Sequence, residues 1–321
     1  MKKRTLILGL AAVATLGLIT GCGTKEKAAK TDAKETAKNE LTLSFGAMPA
    51  VDSLPVYIAE KEGFFEDEGL KLDLQSFKSP KDRDAALSSG NLDGANTDLV
   101  AVSAYLQGDM KFQVVSQSIG TFSILTSNEE VKTLADLKDK KVGIAKNQAP
   151  YYFLDEALKT ADLSVADIAY EEVPQIPVRV ELTANQKIDA TVVPEPFRTI
   201  GLANGLTELG NSNELGIDAT VFGFTTESLT DNKEAVEAFY RGYNKGVDYI
   251  NDHKLDDYYD VMKEKIGFTD EIKGRVSLPK YTHAEQIKSE QLSSVLTWSK
   301  EQGIYSKELK QEDILNPLLS K

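Results

Sequence analysis

One pattern occurs twice in this chain, once in each half, and it constrains the architecture more than any other feature. The first copy ends in Ser89-Gly90-Asn91-Leu92-Asp93-Gly94-Ala95-Asn96-Thr97-Asp98. The second ends in Ala184-Asn185-Gln186-Lys187-Ile188-Asp189-Ala190-Thr191-Val192-Val193-Pro194-Glu195. Each reads as a helix end, a turn, an apolar-Asp-small step into a short strand, and then an acidic residue. The elements upstream match as well. Leu41 to Phe45 alternates as a strand, Leu54 to Glu62 reads as a helix closed by Gly63, and Leu70 to Leu74 alternates again. Pro80 to Ser89 then forms a helix with proline in its first turn, and Leu92 to Asn96 a third strand. The second copy runs Lys141 to Ala145, Pro150 to Ala161, Ile168 to Val173, Pro177 to Asn185 and Ile188 to Val193 in the same order. A β-α-β-α-β order with short connections predicts a parallel sheet with right-handed crossovers. Two such lobes in one chain predict a cleft between them, where a small ligand binds.

Val114 to Ser127 and Val221 to Thr226 are β-prone stretches between and after the copies, read as paired crossings with a hinge near Leu125–Ser127 and Phe222–Thr225. From Asn232 onward the pattern is helical, and Val236, Phe239, Tyr240, Tyr243, Val247 and Ile250 form a buried stripe. Trp298 lies in a later helix and is read as a packing residue. The C-terminal block is expected to fold back onto the first lobe.

The chain opens with the basic run Lys2-Lys3-Arg4, an apolar run from Thr5 to Thr20, and Gly21-Cys22. This reads as an export signal, residues 1–21, ending in a lipobox-like motif, with Cys22 as the lipidation site. Residues 22–40 are mostly Lys, Ala, Glu and Thr with no aromatic, a solvated tether spanning roughly 60 Å at full stretch. Cys22 is the single cysteine, so the body can hold no disulfide and no soft-metal cluster. The formal net charge is −13, and without Lys2, Lys3 and Arg4 it would be −16. Such a body argues against nucleic acid and against adhesion to anionic lipid. The expected partner is a small molecule, with the membrane reached by the lipid anchor alone and the protein a monomer. An acidic, disulfide-free, Lys-tethered body suits a Gram-positive cell surface better than a periplasm.

The run from Pro55 to Leu70, with Glu60-Lys61-Glu62-Gly63-Phe64-Phe65, resembles the signature of SsuA-like solute-binding proteins of ABC importers, whose members take sulfonates, taurine, nitrate or pyrimidine precursors of thiamine. Leu134 to Ile144, the Pro194-Glu195-Pro196-Phe197 step, and Trp298 to Tyr305 with Asn316 fit the same family. The resemblance implies an α/β, two-lobe type II periplasmic-binding-protein fold, with parallel-sheet lobes joined by two hinge strands. It implies lobe I at 41–126 plus 224–321 and lobe II at 127–223, closing on a solute and docking on a permease with its ATPase. Relatives that make the thiamine pyrimidine use a histidine and a cysteine-rich iron site, which this body lacks. No cofactor and no catalysis are expected.

Ligands of open parallel sheets bind beyond the carboxyl ends of the strands. That rule selects Met48, Asp52, Ser53, Thr97, Asp98, Thr121, Phe122, Lys146, Asn147, Gln148, Tyr151, Tyr152, Glu195 and Phe197 as candidate contacts. Asp52, Asp98 and Glu195 all fall near helix starts, where they serve as N-caps or face the ligand. Even as caps they occupy the N–H groups an anion would use. The solute expected is therefore an amine-bearing heterocycle such as a thiamine pyrimidine precursor, with sulfonate, taurine or nitrate as the alternative. Lys146 and Arg179 point the other way, as anion-binding groups. Arg179 is read as an exposed or lobe-to-lobe salt-bridge residue. His253 and His283, the only histidines, lie in no cleft loop. A ligand sensor and an enzyme on this fold remain as lesser readings.

Overall fold

The computed structural model describes residues 40–320. The expected signal segment, Cys22 and the tether up to residue 39 lie outside the described residues. In chain order the strands are β1 (Leu41–Ala47), β2 (Leu70–Ser76), β3 (Gly94–Asp98), β4 (Phe112–Gln117), β5 (Phe122–Thr126), β6 (Lys141–Ile144), β7 (Ala169–Glu172), β8 (Ala190–Pro194), β9 (Thr207–Asn211) and β10 (Thr220–Thr225). The helices are α1 (Leu54–Lys61), α2 (Phe64–Asp67), α3 (Pro80–Ser88), α4 (Leu99–Gln107), α5 (Ala149–Lys159), α6 (Ile176–Ala184), α7 (Phe197–Ala203), α8 (Thr226–Asp231), α9 (Lys233–Asp252), α10 (Leu255–Val261), α11 (Ser289–Glu301) and α12 (Gln311–Ile314).

Two five-stranded sheets form, in the orders β2-β1-β3-β10-β4 and β7-β6-β8-β5-β9. The orders are the same topology repeated. In each, the strand fourth in order runs antiparallel to both of its neighbours, so both sheets are mixed. The remaining pairs are parallel, as the β-α-β order requires. The apolar-Asp-small step has a physical reason in both copies. The Asp93 carboxylate accepts from the Ser44 amide at 2.7 Å, and the Asp189 carboxylate accepts from the Lys141 amide at 2.8 Å. Each aspartate thus pins the entry of its third strand to the first strand of its sheet. The small residue that follows allows close packing; a Cβ at Gly94 would lie 2.2 Å from the Phe224 ring.

The crossings differ from the expected hinge. β5 lies wholly in the second sheet and β10 wholly in the first, so the chain crosses at 118–121 and 212–219 rather than at Leu125–Ser127 and Phe222–Thr225. A β-prone run carries no mark of which sheet it joins, and the polar Ser118-Gly120 and Ser212-Asp218 stretches are where pairing changes. The two crossings hold each other: the Ser118 amide donates to the Thr220 carbonyl at 2.9 Å, and the Ser212 amide to the Phe122 carbonyl at 2.8 Å.

α9 lays its predicted stripe over the first sheet, where Phe239 meets Phe45, Phe65, Phe222 and Phe224 at ring separations of 4.6 to 6.3 Å. α9 crosses α1 at Gly246, whose missing side chain lets the backbones meet. A Cβ there would lie 2.2 Å from the Pro55 carbonyl oxygen, an atom that cannot rotate away. Gly246→Ala is expected to cost about 2–3 kcal/mol through overpacking. The check is a lower urea midpoint at unchanged m-value, with Gly274→Ala, where a Cβ meets nothing within 4 Å, as the neutral control.

α11 does not sit on the first lobe alone. Its Trp298 indole donates to Asp155 of α5 at 2.7 Å, and Tyr152 and Ser294 share a hydrogen bond at 2.9 Å, while the helix also packs along α4. It therefore braces α4, which follows the first sheet's β3, and α5, which follows the second sheet's β6. Among the described residues, no helix is long and apolar enough to cross a membrane.

Candidate functional site

The carboxyl ends of β1, β3, β6 and β8 converge on one cavity, as the topology requires. From the first sheet's side it is lined by Met48 to Asp52 after β1, Pro80 and Arg83 of α3, and Asn96 to Asp98 at the end of β3. The crossings contribute Gly120 to Phe122 and Thr220. The second sheet's side supplies Ala145, Gln148, Pro150, Ile176, Arg179 and Pro194. The cavity volume is about 70 Å³. This is well above the roughly 10–15 Å³ that a single water needs.

Of the expected contacts, Met48, Asp52, Thr97, Asp98, Thr121, Phe122 and Gln148 line this cavity. Ser53 lies beneath it, fully buried, with its hydroxyl unpaired. Lys146 points away; its ammonium sits 4.1 Å from the centre of the Tyr170 ring. Asn147 faces a separate groove beside Tyr105. Tyr151 and Tyr152 are turned into the core by Trp298, with ring separations of 5.8 and 5.2 Å. Phe197 packs in the small apolar cluster around Met48, Val180 and Val193 instead of lining the cavity. Glu195 is spent on its own helix: its oxygens accept from the Thr199 amide at 3.1 Å and the Thr199 hydroxyl at 3.0 Å, and Arg198 lies 3.4 Å away.

The three acidic residues near helix starts thus separate. Asp98 is an N-cap, accepting from the Ala101 amide at 2.9 Å, and burial pushes its pKa up to about 6. Asp52 is not a cap. It lies in a single turn at Val51–Ser53, with Oδ2 accepting from the Asn96 amide group at 2.8 Å. Its Oδ1 has no hydrogen-bond partner although the residue is only 6% exposed. Burial raises its pKa, and the Asn96 bond, the backbone N–H groups of Asp52 and Ser53 and the Arg83 charge only partly oppose that.

Arg83 was not among the expected contacts, yet it organises this side. Its Nη1 donates to the Asn96 carbonyl at 2.9 Å, its Nε and Nη2 both reach Asp84 Oδ1 at 2.9 and 2.7 Å, and Nη2 also meets the Tyr105 hydroxyl at 3.2 Å. Tyr105 in turn donates to Asp84. Across the cleft, the Gln148 amide donates to Asp84 Oδ2 at 3.4 Å, tying α5 to α3. Arg179 was expected to be exposed or in a salt bridge, but it is 2% exposed, lines the cavity and has no carboxylate within ion-pair reach among the described residues. Burial lowers its pKa to about 10, with the distant charge of Glu172 opposing. The signal for Arg83 was available: it occupies in the first copy the place Arg179 occupies in the second.

The histidines stand elsewhere. His253 stacks on Tyr249 and His283 pairs with Asp248, both exposed. Among the described residues no three of His, Asp and Glu assemble as a metal-ligand set.

Comparison with known proteins agrees with this architecture. The family model described as "NMT1/THI5 like" matches residues 50–254. A Brucella abortus protein named as a binding protein is 27% identical over 199 residues, covering 60% of this chain and 61% of its own length, so the chain spans about three fifths of that relative. The Saccharomyces cerevisiae 4-amino-5-hydroxymethyl-2-methylpyrimidine phosphate synthase THI11 is 23% identical over 291 residues, 84% of this chain and 83% of that protein. Among solved structures, the ligand-binding component of an ABC-type import system from Staphylococcus aureus superposes with a TM-score of 0.73 at 19% identity, over 87% of this chain and 97% of that one. The periplasmic aliphatic sulphonate-binding protein SsuA from Escherichia coli gives 0.73 at 16% identity, over 86% and 92%. The fold is that of the periplasmic binding proteins.

Proposed function

The chain belongs to the NMT1/THI5-like family, and on that premise we propose that it is an extracytoplasmic solute-binding receptor of an ABC importer, taking a small amine-bearing heterocycle such as a thiamine pyrimidine precursor. The observation that carries the ligand class is Asp52: a buried carboxylate at the cavity wall with one oxygen unpaired. A buried acceptor left without a donor costs about 1–3 kcal/mol, more when charged, so a ligand N–H placed there recovers what folding gave up. The cavity's size favours one small ring with its substituents over a large polycyclic solute. Asp98, spent on the α4 cap, takes the Ala101 N–H and sets a second buried carboxylate on the wall that carries Asp52, which disfavours nitrate or a simple sulfonate on that side.

In this reading the two lobes, 41–126 with 224–321 and 127–223, shifted to the observed crossings, close about the solute and present the closed form to a permease and its ATPase. Closure follows if the solute's contacts are better made with both lobes together. The export signal and the lipid on Cys22 would hold the receptor at the outer face of the membrane, as a monomer. A synthase role, the activity named for the yeast relatives, is the second reading. The cavity offers it little: its wall carries no histidine, lysine or cysteine, so no general base near neutrality or covalent nucleophile is supplied beyond the carboxylates.

The test is native mass spectrometry and calorimetry of residues 39–321 with 4-amino-5-hydroxymethyl-2-methylpyrimidine, taurine, ethanesulfonate and nitrate. Saturable one-to-one binding of the pyrimidine is expected at micromolar Kd or tighter. Tight binding of ethanesulfonate or nitrate with none of the pyrimidine would sink the ligand assignment.

A further inference from the structure

The two copies of the fold contain the same buried arginine in two different electrical situations. α3 and α6 are both nine-residue helices with proline in the first turn, and each carries arginine at its fourth position. Arg83 Nη1 donates to the Asn96 carbonyl and Arg179 Nη1 to the Val192 carbonyl, each at 2.9 Å and each thirteen residues along the chain. Asn96 and Val192 are the third residues of β3 and β8. The side chains are structural counterparts, and both are 2% exposed.

Their partners differ. Arg83 is followed by Asp84, which takes both Nε and Nη2, and the Tyr105 hydroxyl completes the guanidinium. Arg179 is followed by Val180, itself buried, and among the described residues no carboxylate stands in for Asp84. Its Nε has no hydrogen-bond partner, and the carbonyl of Val192 takes Nη1. The consequence runs through the charge balance. Arg83 keeps its proton more firmly than free arginine, because Tyr105, Asp84 and Asp98 overcome the effect of burial. Arg179 is held less firmly than free arginine, because burial has nothing nearby to oppose it but Glu172. A buried guanidinium without an anion is an unfavourable arrangement in a folded core. Here it borders a cavity whose opposite wall carries Asp52, a buried carboxylate with an unpaired oxygen.

Resting on the reading of this cavity as the solute site, we propose that Arg179 is its anion receptor, so that the solute is bipolar, with N–H donors for Asp52 and an anionic group that takes the place Asp84 takes beside Arg83. Each pole comes from a different sheet, so a solute satisfying both spans the cleft. A neutral heterocycle satisfies one wall only. The planar guanidinium suits a carboxylate or sulfonate with two coplanar acceptors.

Two matched pairs of probes test this by calorimetry on residues 39–321. The first is 4-amino-5-hydroxymethyl-2-methylpyrimidine against 4-amino-2-methylpyrimidine-5-carboxylate; the second is ethanolamine against taurine. In at least one pair the anionic member is expected to bind tenfold or more tightly than its neutral-ended counterpart, and Arg179→Gln is expected to bring the two within threefold. The wild-type ratio is readable whether or not the variant folds, and Arg179→Met with the Val192 carbonyl bond removed serves as the second variant. Equal binding within each pair, preference for the alcohols, binding by none of the four, or an anion preference that survives both variants would overturn the proposal. A silent pyrimidine pair, with taurine preferred over ethanolamine through Arg179, would leave this inference standing and remove the heterocycle reading above.

Discussion

Asp52→Asn is expected to weaken binding of an amine-bearing solute ten- to hundredfold while leaving the ligand-free fold as stable as before, or more so. The first half follows from the charge-assisted hydrogen bond, worth about 1.5–3 kcal/mol when buried. The second follows from the same residue's place in the fold. Its Oδ2 accepts from the Asn96 amide group, which an asparagine oxygen can still do, and burial already penalises its charge. A residue kept for stability would show the reverse: loss of midpoint with binding intact. The pH dependence has a fixed sign. Because Asp52 titrates above the ordinary carboxylate range, affinity for an N–H donor ligand should fall as pH drops through that raised value, where the neutral acid no longer offers a charged acceptor. Isothermal titration at pH 7.5 and pH 5 with 4-amino-5-hydroxymethyl-2-methylpyrimidine, on both proteins, reads both effects. An unchanged Kd in the variant would end the case for Asp52 as the recognition residue.

The repeat was legible because its punctuation is chemical. Asp93 and Asp189 each fasten a strand entry through a backbone amide, and a residue with that duty leaves a mark in sequence. Pro55, Pro80 and Gly63, whose φ is +75°, mark helix ends for reasons of backbone geometry alone. What the sequence concealed was direction. Tyr151 and Tyr152 stand at the start of α5, beside the cavity in order, yet Trp298 reaches from another helix and takes both rings into the core. Glu195 follows its strand directly, one place beyond where Asp98 stands in β3, and its longer side chain reaches Thr199 and Arg198 of the next helix. Arg179 looked like a surface cation because arginine usually is one. Its burial depends on β8, whose Val192 carbonyl accepts from Nη1 at 2.9 Å, a partner that a helical wheel does not contain. Contacts of this kind are decided by tertiary packing, and one chain read locally carries no record of them.

Asp218 sets the second large expectation, and it concerns the crossing between the sheets. Burial first, and the Asp52 charge second, raise its carboxyl to about 7, while Thr220 and Lys288 oppose. Its Oδ1 is buried and unpaired, and Glu156 and Glu290 border the same groove. A carboxyl raised from 3.8 to about 7 binds a proton in the folded state that the unfolded chain has already released. The stability it contributes is therefore complete below pH 3.8 and is lost as pH rises through 7. A shift of that size could reach about 4 kcal/mol at one full charge, and partial exposure with coupling to Asp52 reduces it to about 1–3 kcal/mol. The Tm of the ligand-free protein should fall between pH 5 and pH 8, and Asp218→Asn, neutral throughout, should remove most of that slope and be the more stable protein at pH 8. Because Asp52's charge helps to raise Asp218, a ligand N–H or ammonium that screens Asp52 should lower Asp218 and release a fraction of a proton near pH 7. Binding enthalpies measured in phosphate and in Tris at pH 7 should then differ by that fraction of the buffers' ionisation enthalpy, and the difference should vanish in Asp218→Asn. Identical enthalpies in both buffers for the unmodified protein would mean that the crossing does not sense the cavity.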